Sequence, residues 1–320
     1  MKLKASVLAS LLLAISSVGA QPSDYPNKPI RFIVPFAPGS GADRSGRLFG
    51  EELSKVLGTP VVVENKPGVS GLLGALAVKN APADGYHILV AGWSAQTVTP
   101  IIMKDPLVDS IKEFKPISGL SRAQTVFVAP KNSPYDSLEE LLAAAKRDNR
   151  ELSVGTISAG QQIVLEWFSH LADVKFQNIP YTSGSGMMTD LMGERIDWAV
   201  EGLQSAGPLI ADGKIKALAV AGTERSKHYP SIPTVQESGY PDFFSYGWSG
   251  LYVRADTSDE ITDKLAQAMQ TVMKIPRVRE VTEAGGSELM PLGAREMREY
   301  ELAELRRFQD AAKKAGIEPQ

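Results

Sequence analysis

Residues 36–43 read Phe-Ala-Pro-Gly-Ser-Gly-Ala-Asp, and they join the apolar run Pro-Ile-Arg-Phe-Ile-Val-Pro-Phe to a helical repeat. That placement suits anion binding. The first amides of a helix have no acceptor within it, and Gly39 and Gly41 let the backbone come close to whatever those amides hold. Nucleotide phosphate fits the spacing badly. A dinucleotide fingerprint needs a third glycine where Arg44 stands, and no Gly-Lys pair follows this run to make a P-loop. A carboxylate satisfies the same geometry. Asp43 is expected to cap the helix, or else to orient a ligand-bound water, and a tight capped turn that holds nothing is the alternative.

Three other loops have the same character. Ser158, Ala159, Gly160 and Gln161 stand between Leu-Ser-Val-Gly-Thr and a helical pattern, and the Ser158 hydroxyl and Gln161 amide are uncharged donors. Tyr181 and Thr182 open a stretch with Ser183 and Ser185 at another helix start, and Trp93, Ser94 and Gln96 follow Tyr-His-Ile-Leu-Val-Ala. Serine and glycine also favour helix caps for stability alone, so the four loops argue together rather than singly.

Catalytic patterns are missing. No serine has the Gly-x-Ser-x-Gly spacing of a nucleophile elbow, and no His-Glu-x-x-His occurs. His87, His170 and His228 fall in a strand, a helix and a loop, far apart in sequence. A secreted hydrolase with a Ser-His-Asp set assembled in space is the second reading. No catalytic residue, metal or cofactor is expected.

These loops need elements to hold them. Apolar strands alternate with amphipathic helices from Pro29 to Gly92, and the pattern restarts at Thr125, with Ser137 and Glu140 forming a capping box. Such alternation predicts an α/β chain with a parallel sheet covered on both faces. Two such units leave a cleft off the carboxyl ends of the strands, where the four loops stand.

The first twenty residues have the form of a signal peptide. Lys2 and Lys4 precede a short apolar run, and Val18 and Ala20 stand where a signal peptidase reads, so cleavage after about Ala20 and export are expected. The chain has no cysteine, which excludes disulfides and thiolate chemistry, and its net charge of −3 argues against nucleic acid and acidic membranes as partners.

Five ordered segments carry a resemblance: YPNKPIRFIVPFAPGSGAD, VVVENKPGVSGLLGA, APADGYHIL, IPYTSGSGMMTDLMGERID and IKALAVAGTERSKHYPSIPTVQESG. They resemble, in order and spacing, the solute-binding components of tripartite tricarboxylate transporters, also called the Bordetella uptake gene (Bug) family. The resemblance spans essentially the whole mature chain. It implies a two-lobed, type II periplasmic binding-protein fold of α/β class that closes on a small solute in the periplasm. It also implies a mono-, di- or tricarboxylate, an aromatic carboxylate, or in some relatives an amino acid or vitamin, held between Phe36–Asp43 and Ser158–Gln162, partly through water. Residues 21–123 with 248–320 would form one lobe and 124–247 the other. Two positions depart from the family's pattern. Gly-Ser-Gly-Ala-Asp replaces the common Gly-Gly-Gly-Thr-Asp, and Trp93 stands where smaller residues are frequent. Trp93, Glu201 and Trp248 are the candidates for selectivity, and Trp93 favours an aromatic or elongated carboxylate. The implied partners are the membrane permease subunits of the transporter, with a sensor kinase as a further possibility; the protein itself is expected to be a monomer.

Overall fold

The opening apolar run forms strand β1 (Ile30–Val34), buried apart from Arg31. Helix α1 (Gly41–Leu57) ends at Gly58, whose φ of 65° is left-handed backbone that glycine adopts without strain. β2 (Val61–Asn65), α2 (Leu72–Lys79) and β3 (His87–Gly92) follow, and β1 pairs in parallel with both β2 and β3. The structure is a computed structural model that describes residues 25–68, 71–104 and 107–317; the expected signal peptide lies outside them.

Beyond β3 the chain makes a π-helical turn (Ser94–Val98), then the short helices α3 (Thr99–Ile102) and α4 (Ser110–Glu113), and enters the long strand β4 (Phe114–Pro130). The second run of alternating elements comprises α5 (Leu138–Arg147), β5 (Leu152–Thr156), α6 (Ala159–Ala172), β6 (Phe176–Pro180), α7 (Gly184–Met192), β7 (Trp198–Gly202), α8 (Leu203–Ala211) and β8 (Ile215–Val220). The chain returns through β9 (Tyr246–Arg254), α9 (Asp259–Val272), α10 (Pro276–Ala284), β10 (Glu288–Leu289) and α11 (Ala294–Lys314). At α5 the expected capping box forms: Ser137 Oγ accepts from the Glu140 amide at 3.2 Å, and Glu140 accepts from the Asp136 amide at 2.8 Å.

The sheet runs β2-β1-β3-β9-β4-β7-β5-β6, with β8 and β10 also paired to β4. It is mixed, which corrects the all-parallel expectation. β5 is parallel to β6 and β7, but β3–β9, β4–β9, β4–β7 and β4–β8 are antiparallel. The reason lies in the long-range returns of the chain, because helical crossovers dictate parallel pairing only between the strands they connect. Over Phe114–Gln124, β4 pairs with β9; from Thr125 onward it pairs with β7 and β8. Bulges at Pro116/Ser118, Gly119/Ser121 and Phe127/Val128 add twist along this shared strand. At the changeover, the Thr125 amide donates to the Ser245 carbonyl at 3.1 Å, and the two buried hydroxyls stand 3.0 Å apart.

Strand alternation sorts the core into faces. Phe32 packs with Phe49, Leu53 and Met269 on one side of β1, and Ile33 with Val78, Leu89 and Tyr252 on the other. On β7, Trp198 and Val200 pack with Phe127 and Phe168, while Ala199 faces Met187 and Leu191. Two segments cross between the halves. Met297 of α11 lies in the β1–β3 core, whereas Phe308, Ala311 and Ala312 join Val98 and Ile101 against Phe127 and Phe168.

Candidate functional site

The carboxyl ends of β1, β3, β5, β6 and β7 each deliver the chain into a helical turn, and those turns hold the candidate residues. At α1 the cap is Ser40, not Asp43: Ser40 Oγ accepts from the Asp43 amide at 3.2 Å. Asp43 stands one turn in and reaches back. Its Oδ2 accepts from the Gly39 amide at 2.9 Å and from Arg47 Nε at 3.1 Å, while Oδ1 takes the Asn65 amide at 2.9 Å. Burial pushes this carboxyl up, but the bonds from Arg47, Gly39 and Asn65 outweigh it and hold Asp43 below the ordinary aspartate range. Asn65 also donates to the Phe36 carbonyl at 3.0 Å, which fixes the strand end to the loop. Asp43 therefore braces the turn through the Gly39 amide, Arg47 and Asn65. Ala37, Pro38 and Gly39 are exposed, and the amides of Gly41 and Ala42 have no acceptor among the described residues.

The head of α6 repeats this design. Ser158 Oγ accepts from the Gln161 amide at 3.2 Å, and Gln161 Oε1 accepts from the Ile157 amide at 2.7 Å. The cap uses Ser158 Oγ and Gln161 Oε1 as acceptors only, so the Ser158 O–H, the Gln161 side-chain NH2 and the Ala159 amide, none of which has an acceptor among the described residues, remain as donors for an anion. The Gly160 amide donates to Ser94 Oγ at 3.0 Å, joining the end of β3 to the head of α6. Trp93 lies against the same glycine. A Cβ on Gly160 would fall 2.6 Å from Trp93 Cη2 and 2.8 Å from its neighbours Cζ2 and Cζ3, so no other residue fits there without moving the ring. Phe308 backs the indole, with ring centroids 5.4 Å apart.

At α7 the cap is Ser183, which accepts from the Gly186 amide at 3.2 Å; Thr182 is exposed, and the Tyr181 hydroxyl donates to Asp190 at 2.8 Å. Glu201, at the end of β7, is 5 % exposed, and its Oε2 would lie 3.0 Å from a Cβ on Gly184 at the α7 head. Its Oε1 accepts from the Gly202 amide at 2.8 Å. Burial pushes the carboxyl up to about 7, against the lowering effect of that one backbone bond. Sequence reasoning missed Gln204. Its side chain folds over Gly202 and lies beside Gly41, where a Cβ would be 3.8 Å from Nε2, so the heads of α1 and α8 meet across it. The signal was weak: one glutamine in Glu-Gly-Leu-Gln-Ser.

Two further candidates are buried. Gln96 is 1 % exposed on the π-helical turn, its amide unpartnered, beside the buried hydroxyl of Tyr252. Trp248 is buried edge-on against Tyr300, with centroids 5.7 Å apart. In β9 its side chain falls on the face packed by Leu89 and Tyr252, which strand alternation decides and composition does not.

Among the described residues no histidine side chain bonds to a serine or carboxylate, no cluster of His, Asp and Glu is arranged to hold a metal, and no helix is long and apolar enough to cross a membrane. Unpartnered amides at helix heads can hold an anion without an ion pair, whereas the described side chains form no nucleophile–base pair.

Residues 46–317 match the family described as the tripartite tricarboxylate transporter family receptor. Among solved structures, the chain is similar to the Rhodopseudomonas palustris protein Rpa4515 with adipate, at 26 % identity and a TM-score of 0.88 over 93 % of this chain and 100 % of that one. The periplasmic binding protein BugD gives 28 % identity and 0.85, over 92 % and 100 %. MatC of the same Rhodopseudomonas species, with bound malate, gives 25 % identity and 0.83, over 90 % and 99 %. The family and the fold are those of transporter binding proteins. The chain therefore belongs to the tripartite tricarboxylate transporter receptor family and has its periplasmic binding-protein fold.

Proposed function

We propose that this protein captures a small carboxylate between the helix heads of its two halves and delivers it to the membrane permease of a tripartite transporter. The observation that supports this reading is that both halves carry unpartnered amides at a helix head, Gly41 and Ala42 on α1 and Ala159 on α6. Each head adds the positive end of a helix dipole, and hydrogen bonds to an ionised acceptor are shorter and stronger than neutral ones. Both sets are complete only when the halves meet, so the solute favours the closed form by its differential affinity. Residues 21–123 with 248–320 act as one lobe and 124–247 as the other, while α11 and the turn after Trp93 span them. Ordered water completes the contacts to the carboxylate. Adipate and malate, the solutes of two similar structures, are both dicarboxylates and support the same chemistry here. Trp93, packed on Gly160 at the head of α6, favours an aromatic or elongated solute. The mature protein begins after about Ala20 and works in the periplasm as a monomer.

Thermal unfolding of the mature protein against succinate, adipate, malate, citrate, benzoate and terephthalate, with the amides of the same acids as neutral controls, tests the reading. A solute at 100 times its dissociation constant adds about 2.7 kcal/mol, a rise of several degrees. Stabilisation by one or two acids and by no amide is the expected result. Stabilisation by the neutral amides alone would overturn it. Turnover of ester substrates would favour a hydrolase.

A further inference from the structure

Beside the amides that meet the carboxylate lies a group of opposite hydrogen-bonding character. Glu201 is 5 % exposed and takes part in no ion pair among the described residues; the Gly202 amide is its one donor. A carboxylate has room for about four donors. Its Oε2 lies against Gly184 at the head of α7 and receives none. A second acceptor lies against Gly202, the residue whose amide Glu201 takes: Gln204 Oε1, buried without a partner, on a side chain that also reaches Gly41 of α1. The run Gly184–Glu201–Gly202–Gln204–Gly41 thus connects this pair of acceptors to the helix head that holds the carboxylate. Gln204 Oε1 is buried unpaired, which is costly, while Glu201 Oε2 keeps enough access for a ligand donor to reach it.

We infer that Glu201, with Gln204 beside it, selects solutes that carry a hydrogen-bond donor, an ammonium or a hydroxyl, near the carboxylate held at the helix heads. The inference rests on the carboxylate-receptor reading and makes it specific. A bare alkyl dicarboxylate leaves both acceptors unpaired and brings its own charge toward Glu201. An amino or hydroxy acid of the same length fills them. Burial without a cation leaves the Glu201 carboxyl poised near neutrality, ready to ionise against an ammonium or to accept from a hydroxyl.

Titration calorimetry on the mature protein with matched series tests this: succinate, malate and aspartate, then adipate, 2-hydroxyadipate and 2-aminoadipate. Wild type should bind a substituted member at least tenfold more tightly than its parent. Glu201→Gln should erase a preference for the amino acid, because the counter-charge is gone, and keep most of a preference for the hydroxy acid. Glu201→Leu should erase both and still bind the parent acid. Binding of parent and substituted acids within twofold of each other in wild type, or a preference unchanged in both variants, overturns the inference and leaves the receptor reading intact. No binding by any member of either series overturns the inference, and no binding by citrate, benzoate or terephthalate as well overturns the receptor reading with it.

Discussion

A buried carboxyl with one backbone donor makes folding stability depend on pH, and Glu201 is the place to measure it. Its carboxyl is pushed from an ordinary 4.5 up to about 7 by burial. Folding therefore favours the protonated form: the stability it contributes is whole below about pH 4.5 and is lost as pH rises to about 7, where the folded carboxyl ionises too. A tenfold change in proton affinity is worth about 1.36 kcal/mol, so the rise in the Glu201 pKa amounts to about 3 kcal/mol. Glu201→Gln keeps the shape and cannot ionise. The variant should match wild type near pH 4.5 and exceed it by about 3 kcal/mol at pH 8, worth roughly 6 °C for a chain of this size. Urea unfolding of both proteins without solute, at half-unit steps from pH 4.5 to 8, reads the difference. Glu301, also buried and pushed up to about 7 against the pull of Arg298, is present in both and cancels. A difference that stays flat with pH, or a variant less stable at pH 8, would show that Glu201 has a cation or solvent partner and would refute the reasoning.

Two further outcomes bear on the helix heads. Gly160→Ala places a methyl 2.6–2.8 Å from three atoms of the Trp93 ring; overpacking of this kind costs about 1–3 kcal/mol against up to about 1 kcal/mol gained in helix propensity. Thermal unfolding should show a net loss of about 1–2 kcal/mol, largely restored when Trp93→Leu relieves the clash. Asp43→Ala strands the Gly39 amide and the Asn65 side chain, and thermal unfolding should show a loss of about 2–3 kcal/mol. In wild type that contribution, from a carboxyl held below its usual range, is present above about pH 4 and disappears as pH falls further.

Much of this arrangement was legible in the chain. The alternation of apolar runs with helical repeats located β1, α1, β5, α6 and most of their neighbours, because burial on both faces leaves a nearly continuous apolar signature. What local pattern could not show was the reach of β4 from Phe114 to Pro130. Pro116, Gly119 and Ser121 interrupt its apolar run, and its bulges absorb them. Nor could it show the antiparallel junction with β9, which depends on residues more than a hundred positions apart. At the site, the loops were legible and the roles inside them less so. Ser40 and Asp43 have similar capping chemistry, and geometry alone assigns the cap to one and the back-bond to the other. Gln96 and Trp248 carry the residue types of a binding site, and the face of the element on which each falls buries it. Gln204 carried only a weak signal; its place depends on its side chain reaching from the head of α8 to Gly41 of α1.

The central claim is that a carboxylate is held by backbone amides from both halves. Amide resonances of the uniformly 15N-labelled mature protein, followed while the tightest-binding dicarboxylate is added, test it most directly. The amides of Gly41, Ala42 and Ala159 should move downfield together and saturate at one equivalent. Saturation with those three unmoved, and shifts gathered instead elsewhere, for example around Lys28, Arg31 and His87 on the far side of the sheet, would contradict it.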